Sequence, residues 1–149
     1  MDLTAGPKLV PAAAVAALMV TPDGRYLMQH RDDLPGIFFP GFWGCFGGAI
    51  EPGESPRDAL LREIFEELAY SPRRAEPFAT LGLDFSFQGH GTLPRHFFTV
   101  AVDPGEVASM RLAEGQGLAL IPGAEILTMP RVVPYDAIAI WQHASRARF

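Results

Sequence analysis

The sequence predicts an α/β/α sandwich, a mixed β-sheet held between helices. Short apolar runs separated by turn residues read as strands, and two well-separated stretches carry helical signals, a combination that covers a sheet on both faces. The chain has 149 residues, 48% hydrophobic and 19% charged, which is enough apolar material for one domain, residues 1–149, with a substantial core.

From the N-terminus, Ala12–Val20 is an apolar run that ends at the turn Thr21-Pro22-Asp23-Gly24, and Arg25–His30 returns as a second strand. Pro and Gly then break the chain through a segment bearing Phe38, Phe39, Phe42 and Trp43, aromatics suited to stacking on a base or closing a lid. A helix starts at Ser55, a good N-cap with Pro56 at the first helical position and Asp58 in a capping-box position, and ends near Leu68. Phe78–Gln88 and His96–Asp103 read as paired strands around Gly89-His90-Gly91, with Phe85 and Phe87 alternating against Asp84 and Ser86. Leu118–Ile121 is a short strand, and Pro134–Arg146 is a terminal helix with Ile138, Ile140, Trp141 and Ala144 available to pack inward. A few residues at each end are expected to fray.

The 55–68 helix carries the chemistry. At about 100° per residue, Leu60, Leu61, Ile64, Phe65 and Leu68 gather on one face, whereas Glu63, Glu66 and Glu67 share the opposite one. Three crowded carboxylates repel one another at neutral pH, and one guanidinium, Arg62, cannot neutralise them all. Clustered hard oxygen donors suit Mg²⁺ or Mn²⁺, which retain sites for water and phosphate oxygens. Such an ion polarises a phosphoryl group and neutralises a leaving diphosphate. Gly47, Gly48 and Gly53 let the preceding loop turn sharply, so that a main-chain carbonyl near Gly47 can join the metal shell.

The spacing G-x5-E-x7-R-E-U-x-E-E, with U apolar, runs from Gly48 through Glu54 to Arg62-Glu63-Ile64-Phe65-Glu66-Glu67 and resembles the signature of the Nudix hydrolases. With ordinary usage of roughly 6% per fixed residue, a chance match at a given start is on the order of 10⁻⁷. The resemblance implies a Mg²⁺-dependent pyrophosphohydrolase (Mn²⁺ as substitute) that cleaves the diphosphate of a nucleoside diphosphate linked to another moiety, such as a nucleoside triphosphate or nucleotide sugar. It implies Glu63, Glu66 and Glu67 as metal ligands and Gly47 as a carbonyl ligand. Glu114, in the loop Glu114-Gly115-Gln116-Gly117, matches a second metal ligand or a general base, with Glu63 the alternative base. Gly48, Glu54 and Arg62 are structural supports, the last two as an ion pair tying loop to helix. Arg31 ends a strand where the family often has a basic residue facing phosphate; from the aromatic segment, Phe42 is the second expected substrate contact. Two positions depart from the pattern: Ala69 stands where a helix-closing glycine is usual, and Phe46 where many members have proline.

A net charge of −5 with scattered basic residues argues against polymeric nucleic acid as a partner and leaves a small nucleotide-diphosphate substrate. Cys45 is the lone cysteine, so no intramolecular disulfide forms and a reducing, cytoplasmic setting is expected. No apolar run is long enough for a membrane span, and Asp2 with Lys8 makes a poor secretory leader. His30, His90, His96 and His143 lack metal-ligand spacing, and a homodimer is compatible with the sequence. Two rival functions remain: a non-catalytic nucleotide sensor of the same fold, disfavoured by the intact acids and the short chain, and a prenyl-diphosphate isomerase, which would need Cys45 as a reactive thiol.

Overall fold

The computed structural model describes residues 9–146; Asp2, Lys8 and the outermost terminal residues expected to fray lie outside the described residues. Seven strands form one mixed sheet. Its central strand, β1 (Ala14–Val20), pairs antiparallel with β2 (Arg25–His30) across the Thr21–Gly24 turn, where Gly24 takes φ 81°. On its other side β1 runs parallel to β6 (Thr92–Ala101), from Ala14↔Arg95 to Val20↔Ala101. β1 also pairs antiparallel with β4 (Phe46–Ala49). β2 carries β3 (Trp43–Gly44) and β7 (Gly117–Pro122), and β5 (Glu76–Asp84) closes the far edge against β6.

The period-2 alternation of β1 explains the three layers. Val15, Ala17 and Met19 face α1 (Pro56–Leu68) and pack with its Leu60, Ile64 and Leu68. Ala16 and Leu18 face the other way and pack with Ala139 and Ile140 of α4 (Pro134–Ser145) and with Ile126. Because both faces are covered, β1 reads as an unbroken apolar run rather than an alternating one. The expected sandwich is therefore the observed one.

Several local expectations are corrected. The strand expected to reach Gln88 ends at Asp84, and residues 86–88 form a 3₁₀ turn. The Asp84 carboxylate accepts from the Ser86 N–H at 2.8 Å, an Asx-type turn that outcompetes the ladder and leaves Phe87 exposed. Phe65, expected in the core, is 58% exposed. Its direction on the helix lies about 100° beyond Ile64 and misses the sheet. On α4 the inward residues are Asp136, Ala139, Ile140 and His143, an i, i+3, i+4, i+7 set, whereas Ile138, Trp141 and Ala144 point outward. The segment Trp43–Ala49, read as loop, supplies two short strands. Two small helices, α2 (Pro104–Ser109) and α3 (Gly123–Ile126), were missed by the sequence reading. The first had a legible signal, Asp103-Pro104 followed by Glu106, and the reciprocal capping box forms.

Candidate active site

The site is built where β4 crosses β1 and meets α1. Ser55 caps α1 as expected, its hydroxyl accepting the Asp58 N–H at 3.1 Å. At the opposite end Ala69 closes the helix in the left-handed conformation, φ 52° and ψ 37°, its N–H donating to the Phe65 carbonyl at 2.9 Å. Gly47 takes φ 155°, and a Cβ there would lie 2.0 Å from the Val15 carbonyl oxygen, so glycine is required for the strands to approach. A Cβ on Gly48 would stand 2.5 Å from the Glu63 carboxyl carbon. The two glycines thus open the space into which the acids of α1 project.

Glu67 is only 4% exposed. The expectation of three acids on a face opposite the core is overturned for this residue. Glu67 follows Leu60 by seven positions and lies about 20° from it around the helix, at the rim of the buried face. Its Oε2 accepts the Gly47 N–H at 3.2 Å. Burial foremost, then the neighbouring Glu114 and Glu63 carboxyls, push its pKa up to about 9, against the pull of the Gly47 N–H. Glu63 is also raised, chiefly by burial, with Arg62 opposing. Glu66 is the exposed member of the set.

Arg62 serves as the hub of countercharge. Its Nε and Nη2 donate to the two oxygens of Glu54 at 2.7 and 2.8 Å, the expected loop-to-helix pair. Its Nη1 donates to Glu63 at 3.0 Å and Glu66 at 3.3 Å, and Nη2 also reaches the Ala49 carbonyl at 3.0 Å. Glu54 is held down to about 2 by the Arg62 hydrogen bonds. The Glu114 loop is pinned to the end of β2: Gln29 donates to the Glu114 carbonyl at 3.0 Å, and the Gln116 amide donates to the Arg31 carbonyl at 2.8 Å. Gly115, at φ 98°, lies where a Cβ would be 2.8 Å from the His30 carbonyl.

As the side chains stand, no three of the described His, Cys, Asp or Glu residues form a group that could hold a metal ion. Glu63 and Glu66 are instead engaged by Arg62, whose Nη1 donates to both. The donor set nonetheless fits a hard divalent cation. A buried carboxyl pressed by two others is forced to keep its proton, and a divalent charge among them would restore the anion. Glu63, Glu66, Glu67, Glu114 and the Gly47 carbonyl are the oxygen donors within this neighbourhood.

Beside Gly47 and Gly48 opens a cavity of about 460 Å³. Arg31 lines it, as do Phe38, Phe39, Phe85 and Tyr135. Arg31 donates from Nε to the Phe38 carbonyl at 2.9 Å, which ties it to the cavity wall. Phe42 is not among the lining residues; it packs on Phe39 with ring centroids 5.4 Å apart and so supports the wall from behind. The sequence reading missed a buried ion pair in this cavity. Arg95 of β6 donates from Nε and Nη2 to Asp136 Oδ1 at 3.1 and 3.0 Å, and the Cys45 N–H donates to Asp136 Oδ2 at 2.9 Å. Burial works against the Arg95 charge, but Asp136 and its other neighbours carry its pKa above the ordinary value. The partners come from three distant segments, and no local spacing announces them. Cys45 itself is buried, and burial followed by the Asp136 charge pushes its thiol well up, the reverse of a reactive thiolate.

Among the described residues no helix is long and apolar enough to cross a membrane. Over 50 residues the chain is 50% identical to a nucleoside triphosphatase NudI of Escherichia fergusonii. That match covers 34% of this chain and 35% of the relative, so the chain spans about a third of the curated relative's length. The fold is shared with a MutT NUDIX hydrolase of Burkholderia pseudomallei, with TM-score 0.70, 23% identity, and coverage of 89% of this chain and 98% of the other. It is shared also with NrtR of Shewanella oneidensis, whose structure holds a 27mer DNA, with TM-score 0.65 and 24% identity over 91% of this chain and 61% of that one. The NUDIX domain profile matches residues 10–148, nearly the whole chain, and with the glycine–glutamate–arginine framework in place this protein belongs to the NUDIX family.

Proposed function

We propose that this chain is a metal-dependent pyrophosphohydrolase that cleaves a phosphoanhydride bond of a nucleoside triphosphate or related nucleoside diphosphate derivative. The observation that carries the reading is the buried Glu67 carboxyl, crowded by Glu63 and Glu114 beside a glycine-opened cavity. Burying and crowding acids costs stability, and carboxyls perturbed in this way cluster where a cation and a charged substrate meet. The 50-residue identity with a nucleoside triphosphatase supports the same reading.

In this reading Glu63, Glu66, Glu67, Glu114 and the Gly47 carbonyl hold Mg²⁺, with Mn²⁺ as substitute. When bound, the ion neutralises the diphosphate oxygens and makes the phosphorus a better electrophile. Glu54 and Arg62 hold the loop against the helix so that the donors keep their places. Arg31 at the cavity wall contacts the phosphate chain, and the aromatic cavity takes the remainder of the substrate. A carboxylate of Glu114 or Glu63 accepts the proton of the attacking water.

The test is Glu67→Gln, which keeps an acceptor for the Gly47 N–H and removes the charge. Turnover of a nucleoside triphosphate panel with Mg²⁺ is expected to fall by orders of magnitude while the circular dichroism spectrum is preserved. Near wild-type hydrolysis by the variant overturns the assignment. The same assay separates hydrolase from sensor, because a sensor binds nucleotide without releasing pyrophosphate or phosphate.

A further inference from the structure

We propose that Arg95 is the specificity-determining residue of the cavity and selects nucleobases that present two adjacent hydrogen-bond acceptors, guanine and cytosine. This inference rests on the cavity receiving the nucleoside part of the substrate, as the preceding reading holds.

Arg95 lies on the cavity wall together with Gly47 and Gly48, so a group bound against it remains within reach of the carboxylate cluster. A guanidinium offers five N–H groups in a rigid planar fork. Asp136 takes the side edge of that fork, since Nε and Nη2 both donate to its Oδ1. The end edge remains, formed by one N–H of Nη1 and the second N–H of Nη2. Nη1 donates to none of the described residues and is not among their buried unpartnered atoms, and because Arg95 lines the cavity we assign this edge to it.

The fork is also held in its plane. The Arg95 guanidinium carbon lies 4.6 Å from the Tyr135 ring centroid and 5.5 Å from that of Phe97. Asp136, 1% exposed, is fixed in turn by the Cys45 N–H and by its place in the first turn of α4. The free N–H pair is therefore presented in one direction with little orientational freedom left to lose on binding.

Charge decides what this pair recognises. Asp136 already balances Arg95 at 3.0 Å, so the pair has little net attraction for phosphate, and its unused donors suit neutral acceptor atoms. Two parallel N–H groups match two acceptors on adjacent ring positions. Guanine has O6 and N7 so placed, and cytosine has O2 and N3. Adenine and uracil alternate donor with acceptor along their edges and offer no such pair. Phe38, Phe85 and Tyr135 supply aromatic surface for the ring faces and are indifferent to base identity. Selectivity is thus left to Arg95.

The experiment measures kcat/KM with Mg²⁺ for GTP, CTP, ATP and UTP, on wild type and on Arg95→Lys, which keeps the charge beside Asp136 but loses the fork. Wild type is expected to favour GTP and CTP by roughly tenfold or more, the discrimination typical of a bidentate contact. In Arg95→Lys the ratio collapses toward one, and with wild type 7-deaza-GTP, which lacks the N7 acceptor, falls toward ATP. Equal treatment of the four bases by wild type, a preference for ATP or UTP, or a GTP and CTP preference that survives Arg95→Lys overturns the proposal. If Arg95→Lys does not fold, the wild-type ranking and the 7-deaza-GTP result decide. Calorimetric binding of GMP, CMP, AMP and UMP reads base preference without turnover. A protein that hydrolyses nothing yet binds GMP and CMP more tightly sinks the hydrolase reading and sustains this one, whereas absence of any binding and turnover sinks both.

Discussion

Ala69→Gly is expected to stabilise this protein. Ala69 closes α1 at φ 52° and ψ 37°, a conformation in which its Cβ crowds the neighbouring carbonyl. The left-handed region costs an L-residue with a Cβ about 1–2 kcal/mol. Replacing it with glycine removes that cost but gives the unfolded chain extra freedom, which returns about 0.4–1 kcal/mol to the unfolded side. Ala69 is exposed, so deleting its methyl forfeits little packing, and its N–H continues to bond the Phe65 carbonyl. The net is a gain of about 0.5–1 kcal/mol. For a chain of 149 residues that is a rise in Tm of about 1–4 °C. Urea melts followed by circular dichroism measure it, with the midpoint shifting upward at unchanged slope. A lower Tm for the variant would refute the strain argument, because only a contact made by the Ala69 methyl could then explain its presence.

Ile64→Ala is expected to cost about 2–5 kcal/mol, since Ile64 is fully buried between α1 and the sheet, while Phe65→Ala next to it changes stability by less than about 0.5 kcal/mol. Paired urea melts check both, and equal losses would contradict the assigned faces of α1. Asp136→Ala strands the Arg95 charge and the Cys45 N–H, so its cost is about 3–5 kcal/mol; the double change with Arg95→Met is expected to cost less than the sum of the two single changes. Stability should also decline on acidification through His143. Burial lowers the pKa of this ring in the fold, so the unfolded chain takes up its proton first. The contribution is complete above the ordinary histidine value near 6.5 and is lost as pH falls from there through the depressed folded value. Comparing Tm between pH 7.5 and 5 for wild type and His143→Gln tests this, and equal slopes in the two proteins would exclude His143 as the source.

What could be read in the sequence was what is encoded locally. Ser55-Pro56 and Asp58 announce the start of α1 because a cap is a contact between near neighbours. The central strand showed itself as an apolar run, and the signature acids by their spacing. What escaped was decided by partners far along the chain. Glu67 turned inward because β4 lies over it, and the helical projection alone left it at the boundary. Phe65 and Trp141 look like core residues by type, yet the side each helix turns to the sheet is set by tertiary packing. Phe87 left its strand once Asp84 found a backbone donor at Ser86. The Arg95–Asp136–Cys45 constellation joins β6, α4 and the residue before β4, an arrangement only the folded chain assembles.

The close approach of Gly47 to Val15 has a further consequence for how this molecule can change. The segment bearing Gly47 and Gly48 is riveted directly to the innermost strand, so any repacking beneath Val15, Ala16 or Ala17 will displace it along with the interior. The cavity walls around residues 38–39 and 85–88 hang on loops that share no such rivet. Variation on that rim can therefore change how tightly the cavity grips a ligand while the glycine segment stays fixed, and a library meant to tune affinity belongs there.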